Sequence, residues 1–151
     1  IGIIHVPVSN ETYWGSSING SFYREENNQR ERLCVEKNNR NLVRILASRS
    51  HPSKTLDSFL EVTSDYKILT KGSSLKFCLI ANGEADIYPR FGPTSEWDTA
   101  AGQAIVEFAG GSLITIDRKP LKYNLTESYL NPYFIVASRE DLALNLLSLI
   151  K

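Results

Sequence analysis

From residue 42 onward, short β-prone runs alternate with stretches of helical periodicity, and this alternation limits what the chain can fold into. Residues 43–47 read as a short buried strand. Ser53 can cap a helix whose face carries Leu56, Phe59 and Leu60 at helical spacing. A second strand over 66–69 leads into the turn Gly72-Ser73 and a helix with Leu75, Cys78 and Leu79 inward, stopped at Gly83. A third strand over 85–88 precedes a helix opened by Asp98, with Ala101, Ile105 and Phe108 on one face and Gly110-Gly111 at its end. Residues 112–116 and 133–137 supply two more strands. The last helix starts at Ser138, takes Asp141 as a capping-box partner, and lines up Leu142, Leu146, Leu149 and Ile150. Strands separated by helices of this length stack as an α/β layer sandwich.

The first 41 residues have another rhythm. β-prone runs over 3–8, 12–14 and 21–23 are separated by Ser9-Asn10-Glu11, Gly15-Ser16-Ser17 and Asn19-Gly20, which is hairpin spacing. The expected division is therefore an antiparallel hairpin or meander with its connection over 1–41, and an α/β domain over 42–151. Residues 24–44 hold six basic and four acidic side chains. Such mixed signs suit a solvated connection or edge strand better than a phosphate-binding patch. The whole chain balances 17 basic against 17 acidic residues, which excludes a strongly basic face for a nucleic acid polymer. Two cysteines cannot build a disulfide framework, and the apolar stretches are too short to span a bilayer. No charged-then-apolar leader opens the sequence, so a cytoplasmic location is expected. The chain has no methionine and starts Ile1-Gly2-Ile3, which reads as a piece of a longer protein.

Three segments could carry chemistry. Ser48-Arg49-Ser50-His51 follows the 43–47 strand, and ligands in open α/β sheets bind beyond the carboxyl ends of strands. The same residues serve equally as helix caps and a turn. His5 and His51 are too few for a metal cluster. Lys71-Gly72-Ser73-Ser74-Leu75-Lys76 opens a helix with free N–H groups, hydroxyls and a lysine, which suits an anion; serine capping is the alternative. Pro89 and Pro93 stiffen the loop before Trp97-Asp98. Asp98 is either a helix cap or a ligand, and Ala100-Ala101-Gly102 lets something approach the helix start closely. Nothing supports covalent catalysis, since neither a nucleophile elbow nor a Cys/His arrangement occurs.

Trp97-Asp98-Thr99-Ala100-Ala101-Gly102, followed by Gly110-Gly111, resembles the C-terminal signature of the magnesium-dependent, lithium-sensitive phosphatases related to inositol monophosphatase. Ser48-Arg49-Ser50-His51, Gly72-Ser73-Ser74-Leu75-Lys76-Phe77-Cys78 and Tyr88-Pro89-Arg90-Phe91-Gly92-Pro93-Thr94 look like the bacterial 3'(2'),5'-bisphosphate nucleotidase branch. Lys119-Pro120-Leu121 and Leu130-Asn131-Pro132 extend that match. The resemblance implies a mixed sheet flanked by helices, preceded by an antiparallel hairpin from an N-terminal domain. It implies hydrolysis of 3'-phosphoadenosine 5'-phosphate to AMP and phosphate, with Mg2+ as cofactor and Li+ as inhibitor. Asp98 resembles the one metal ligand of this domain and also borders the substrate. Ser73, Lys76 and Arg90 resemble the groups that hold the uncleaved phosphate and the ribose, and His51 the residue beside the nucleotide. Such enzymes carry their remaining ligands in an Asp-Pro-x-Asp-Gly-Thr stretch, and this chain has no Asp-Gly dipeptide. A missing N-terminal half is thus an expected partner, and the chain alone is expected to be inactive. The alternatives are a truncated non-catalytic module and an inositol monophosphatase-type sugar phosphatase, against which 48–51 and 88–94 argue.

Overall fold

The structure, a computed structural model, describes residues 1–36, 42–47, 54–61, 63 and 65–149. Among them the first four strands, β1 (Gly2–Val6), β2 (Glu11–Ser16), β3 (Gly20–Glu25) and β4 (Glu31–Arg32), pair antiparallel in chain order. Gly20 takes φ 82° at the end of the β2–β3 turn, a conformation that suits a residue without Cβ. Strand alternation puts Ile4, Val6, Tyr13 and Tyr23 against the core and leaves Ile3, Trp14 and Phe22 on the opposite face.

The second sheet contains β5 (Val43–Ala47), β6 (Tyr66–Thr70), β7 (Ile87–Arg90), β8 (Ser112–Thr115) and β9 (Phe134–Ala137), in the order β6-β5-β7-β9-β8. It is mixed: β6, β5 and β7 are parallel, while β9 runs antiparallel to both β7 and β8. The crossovers between parallel strands are α1 (Lys54–Glu61) and α2 (Leu75–Ala81); α3 (Glu96–Phe108) follows β7 and α4 (Glu140–Leu149) follows β9. One face of this sheet, with Leu46, Tyr88, Phe134 and Val136, packs on α2 and α3. The other, with Ile45, Ile87 and Ile135, packs on Phe59 of α1 and on Ala143, Leu146 and Leu147 of α4. The meander lies on the far side of α3, so α3 is shared by both sheets. Arg44 and Asp86 lock the β5–β7 pair through Nη2–Oδ1 at 2.7 Å and Nε–Oδ2 at 2.9 Å.

Three local expectations change in the folded chain. Helix α3 starts at Glu96 with Ser95 as its N-cap, so Asp98 is the third helical residue and not the cap. Helix α4 starts at Glu140, because the Ser138 N–H donates to the Asp86 carbonyl at 2.9 Å and is not available to a capping box; Asp141 pairs with Arg139 at 2.9 Å instead. The polar segment 24–44 does provide an edge strand, β4, but Leu33 and Val35 are buried in the main core. The Leu33 N–H reaches the Ser21 carbonyl and the Val35 N–H that of Ala109, which threads the segment between sheet and helix. The expected cap Ser53 and the terminal Ile150 lie outside the described residues.

Candidate active site

The carboxyl end of β7 and the starts of α2 and α3 converge, and their side chains enclose a cavity of about 220 Å³. Lys76 is only 3% exposed. An ammonium that deep needs acceptors. The turn before α2 supplies them: Nζ donates to the carbonyls of Lys71 at 3.3 Å and Ser73 at 3.0 Å, and lies 5.0 Å from the centre of the Tyr88 ring. Ser73 adopts φ 47°, and Ser74 makes no side-chain cap bond. The Gly72-Ser73-Ser74 turn is therefore a holder for the lysine through its carbonyls rather than a serine cap. Burial, with the charge of Arg90 second, brings the Lys76 pKa down to about 8.

Arg90 leaves the end of β7 and donates from Nη2 to the Pro93 carbonyl at 2.8 Å, which stiffens the loop. Its Nε is buried and has no hydrogen-bond partner among the described residues. Asp98 is exposed; its Oδ2 accepts the Ser95 N–H at 2.9 Å, so the carboxylate ties the first turn of α3 as well as facing the cavity. Ser73, Lys76, Arg90 and Asp98, from three segments of sequence, thus line one space. His51, with the rest of Ser48-Arg49-Ser50-His51, lies outside the described residues. Tyr88, Thr94 and Thr99 also border the cavity. The sequence contained Thr94 and Thr99 within its motifs, but only their position beside the cations marks them out.

The small residues after Asp98 have a different occupant from the one expected. A Cβ on Gly102 would sit 2.5 Å from Cγ of Phe77, so it is the Phe77 ring of α2 that approaches α3. The Ala101 carbonyl similarly meets the backbone of β1 at Gly2. Phe77 stands edge-on to Tyr88, and Tyr88 edge-on to Phe134, which makes an aromatic floor under the cavity. As for a metal, the Asp98 carboxylate is a hard oxygen donor that fits one position on magnesium. Among the described residues no group of three His, Cys, Asp or Glu side chains could complete such a site. Two cations against one carboxylate leave the cavity suited to an oxyanion.

A sequence profile of the inositol monophosphatase family matches residues 1–150. The chain belongs to the inositol monophosphatase family. Among curated relatives, the 3'(2'),5'-bisphosphate nucleotidase CysQ of Escherichia coli K12 is 42% identical over 137 residues, covering 91% of this chain and 54% of the relative. The protein of the same name from Buchnera aphidicola is 42% identical over 141 residues, with 91% and 52% covered. The crystal structure of CysQ from Bacteroides thetaiotaomicron superposes with a TM-score of 0.79 at 36% identity, covering 91% of this chain and 57% of that one. An inositol monophosphatase from Zymomonas mobilis, at 21% identity and a TM-score of 0.75, shares the fold. The chain spans about half the length of the curated relatives it matches. None of the helices among the described residues is long and apolar enough to cross a membrane.

Proposed function

We propose that this chain is part of a magnesium-dependent, cytoplasmic phosphatase that hydrolyses 3'-phosphoadenosine 5'-phosphate to AMP and phosphate, and that the cavity receives the phosphate that is not cleaved. The observation that carries this reading is the pair of cations, Lys76 and Arg90, facing one cavity with no carboxylate bound to either among the described residues. An ammonium has three hydrogens, and the turn carbonyls take two. The third, with the Arg90 N–H groups that the Pro93 carbonyl does not take, is left for phosphate oxygens. Ser73 borders the same cavity and would serve that phosphate or the ribose, and the family resemblance assigns His51, outside the described residues, to the nucleotide. Asp98 would offer its second oxygen as one magnesium ligand while the first holds the helix turn. When bound, magnesium stabilises charge on the entering and leaving oxygens of an in-line displacement. One carboxylate cannot hold that ion, so the remaining ligands come from the half of the relatives that this chain does not span. We place that half on the outward meander face, where Ile3 is 62% exposed beside Trp14 and Phe22. A sugar monophosphate would leave the cation pair without a second anion, which disfavours the inositol monophosphatase-type reading.

The test is Asp98→Asn in the protein that carries both halves. Asparagine keeps an oxygen for the Ser95 N–H, so the melting temperature should hold. Turnover should fall by orders of magnitude, several kcal/mol in barrier on the order of magnitude of a lost metal contact. Activity within a few-fold of the parent would reduce Asp98 to the capping-box partner of Ser95.

A further inference from the structure

The long connection between β8 and β9 runs back along α3 and ends at Asn131, whose side chain touches two cavity residues. Its Nδ2 lies 3.1 Å from Thr94 Oγ1 and 3.1 Å from Thr99 Oγ1. The Thr99 hydroxyl gives its hydrogen to the Glu96 carbonyl at 3.2 Å, so its oxygen can meet Asn131 only as an acceptor. That requires the NH2 edge of the amide to face both threonines. An NH2 group donates and never accepts. The Thr94 oxygen is therefore occupied as an acceptor, and its own hydrogen must go elsewhere. Among the described residues no protein acceptor takes it, and Thr94 borders the cavity that holds Lys76 and Arg90.

We infer that Asn131 is a positioning residue that turns the Thr94 hydroxyl into a fixed donor for an oxyanion in the cavity, alongside Lys76 and Arg90. This rests on the reading of the cavity as a phosphate site. The amide is well placed for the task, because the backbone fixes it independently of its side chain. The Asn131 N–H donates to the Thr94 carbonyl at 2.9 Å, and the Glu96 N–H donates to the Tyr129 carbonyl at 2.8 Å. Further along the strap, the Asn124 N–H meets Glu96 Oε1 at 2.8 Å and Gln103 Nε2 meets the Leu121 carbonyl at 3.2 Å. Truncating the side chain therefore removes the hydroxyl's orientation and leaves the strap attached. A hydroxyl with its hydrogen directed at a phosphate oxygen attracts it; one left to rotate presents its lone pairs part of the time and repels it.

The experiment is calorimetric titration of the full chain with 3'-phosphoadenosine 5'-phosphate, with melting temperatures measured in parallel. Asn131→Ala should weaken binding about tenfold, as expected for one hydrogen bond to a charged group. Thr94→Val should weaken it equally, while Thr94→Ser, which keeps the hydroxyl, should bind like the parent. The double variant Asn131→Ala with Thr94→Val should bind no more weakly than the worse single, because both remove the same donor. In the protein with both halves, Asn131→Ala should raise KM and leave kcat, the mark of binding that does not change during reaction. Losses that multiply in the double variant, or unchanged affinity in Asn131→Ala while Lys76→Gln weakens binding, would overturn the proposal alone. Unchanged affinity in Lys76→Gln would overturn the phosphate reading and the proposal with it. Should Asn131→Ala fail to fold, the contrast between Thr94→Val and Thr94→Ser decides, since equal binding by those two removes the donor from the argument.

Discussion

Lys76 has to serve two requirements that pull in opposite directions with pH. Burial first, and Arg90 second, bring its pKa from the ordinary 10.5 down to about 8. Below that value both folded and unfolded chains carry the charge. Between about 8 and 10.5 the unfolded chain binds more protons than the folded one, so this group's contribution makes stability rise with pH across that window. Anion affinity goes the other way, because a neutral amine no longer attracts phosphate. Titration with the bisphosphate at about pH 7 and about pH 9 should show weaker binding at the higher value, with no loss of melting temperature from this residue. Lys76→Gln should flatten the difference. A profile that stays as steep in the variant would assign the pH dependence to another group.

At the scale of elements, the separation of cation and carboxylate is set by how closely α2 approaches α3. Lys76 is the neighbour of Phe77 on α2, and Asp98 lies one turn before Gly102 on α3. The Phe77 ring rests on Gly102 and is boxed in by Tyr88 and Phe134, so it has little room to retreat from a new methyl group. Gly102→Ala should cost about 1–3 kcal/mol by overpacking. The helices can relieve it only by moving apart, so bisphosphate binding should weaken as well. Denaturant unfolding and the same titration measure both effects. Parent-like stability together with parent-like binding would mean that the crossing has slack.

At the scale of the molecule, one oxygen-donor carboxylate among the described residues faces the cavity, while in-line phosphate hydrolysis on magnesium needs several ligands. The 151-residue chain alone should release no phosphate from 3'-phosphoadenosine 5'-phosphate above background with magnesium. Its meander is covered on one side by α3 and leaves Ile3, Trp14 and Phe22 on the other, with the Arg30 guanidinium stacked 4.8 Å over Phe22. Such a face should drive self-association until the proposed N-terminal half occupies it. Phosphate release and sedimentation, with and without that half, check both expectations. Lithium-inhibited turnover by the chain on its own would contradict them.

Element types were legible because the periods that betray them are local: the strand over 43–47 and a helix between Asp98 and Gly110 can be recognised without knowing their neighbours, although the helix in fact starts two residues earlier. Charge and hard oxygen are properties of residue type, so the sequence offers Lys76 as a candidate anion holder and Asp98 as either cap or ligand, while Arg90 is singled out only through the family resemblance. What the pattern could not contain was partnership. It records that Leu33 and Val35 are apolar, but only the docking of the meander on α3 makes them core. It records a serine and an acid at capping distance near 138, but the Asp86 carbonyl of a neighbouring loop had already claimed the Ser138 N–H. It allowed close approach at Gly102 without naming the Phe77 ring. The insertion of β9 between β7 and β8 and the reach of Asn131 back to Thr94 are likewise contacts across long stretches of chain. A sequence by itself determines which groups want burial, charge or a turn; which group satisfies which is decided only when packing brings distant segments together.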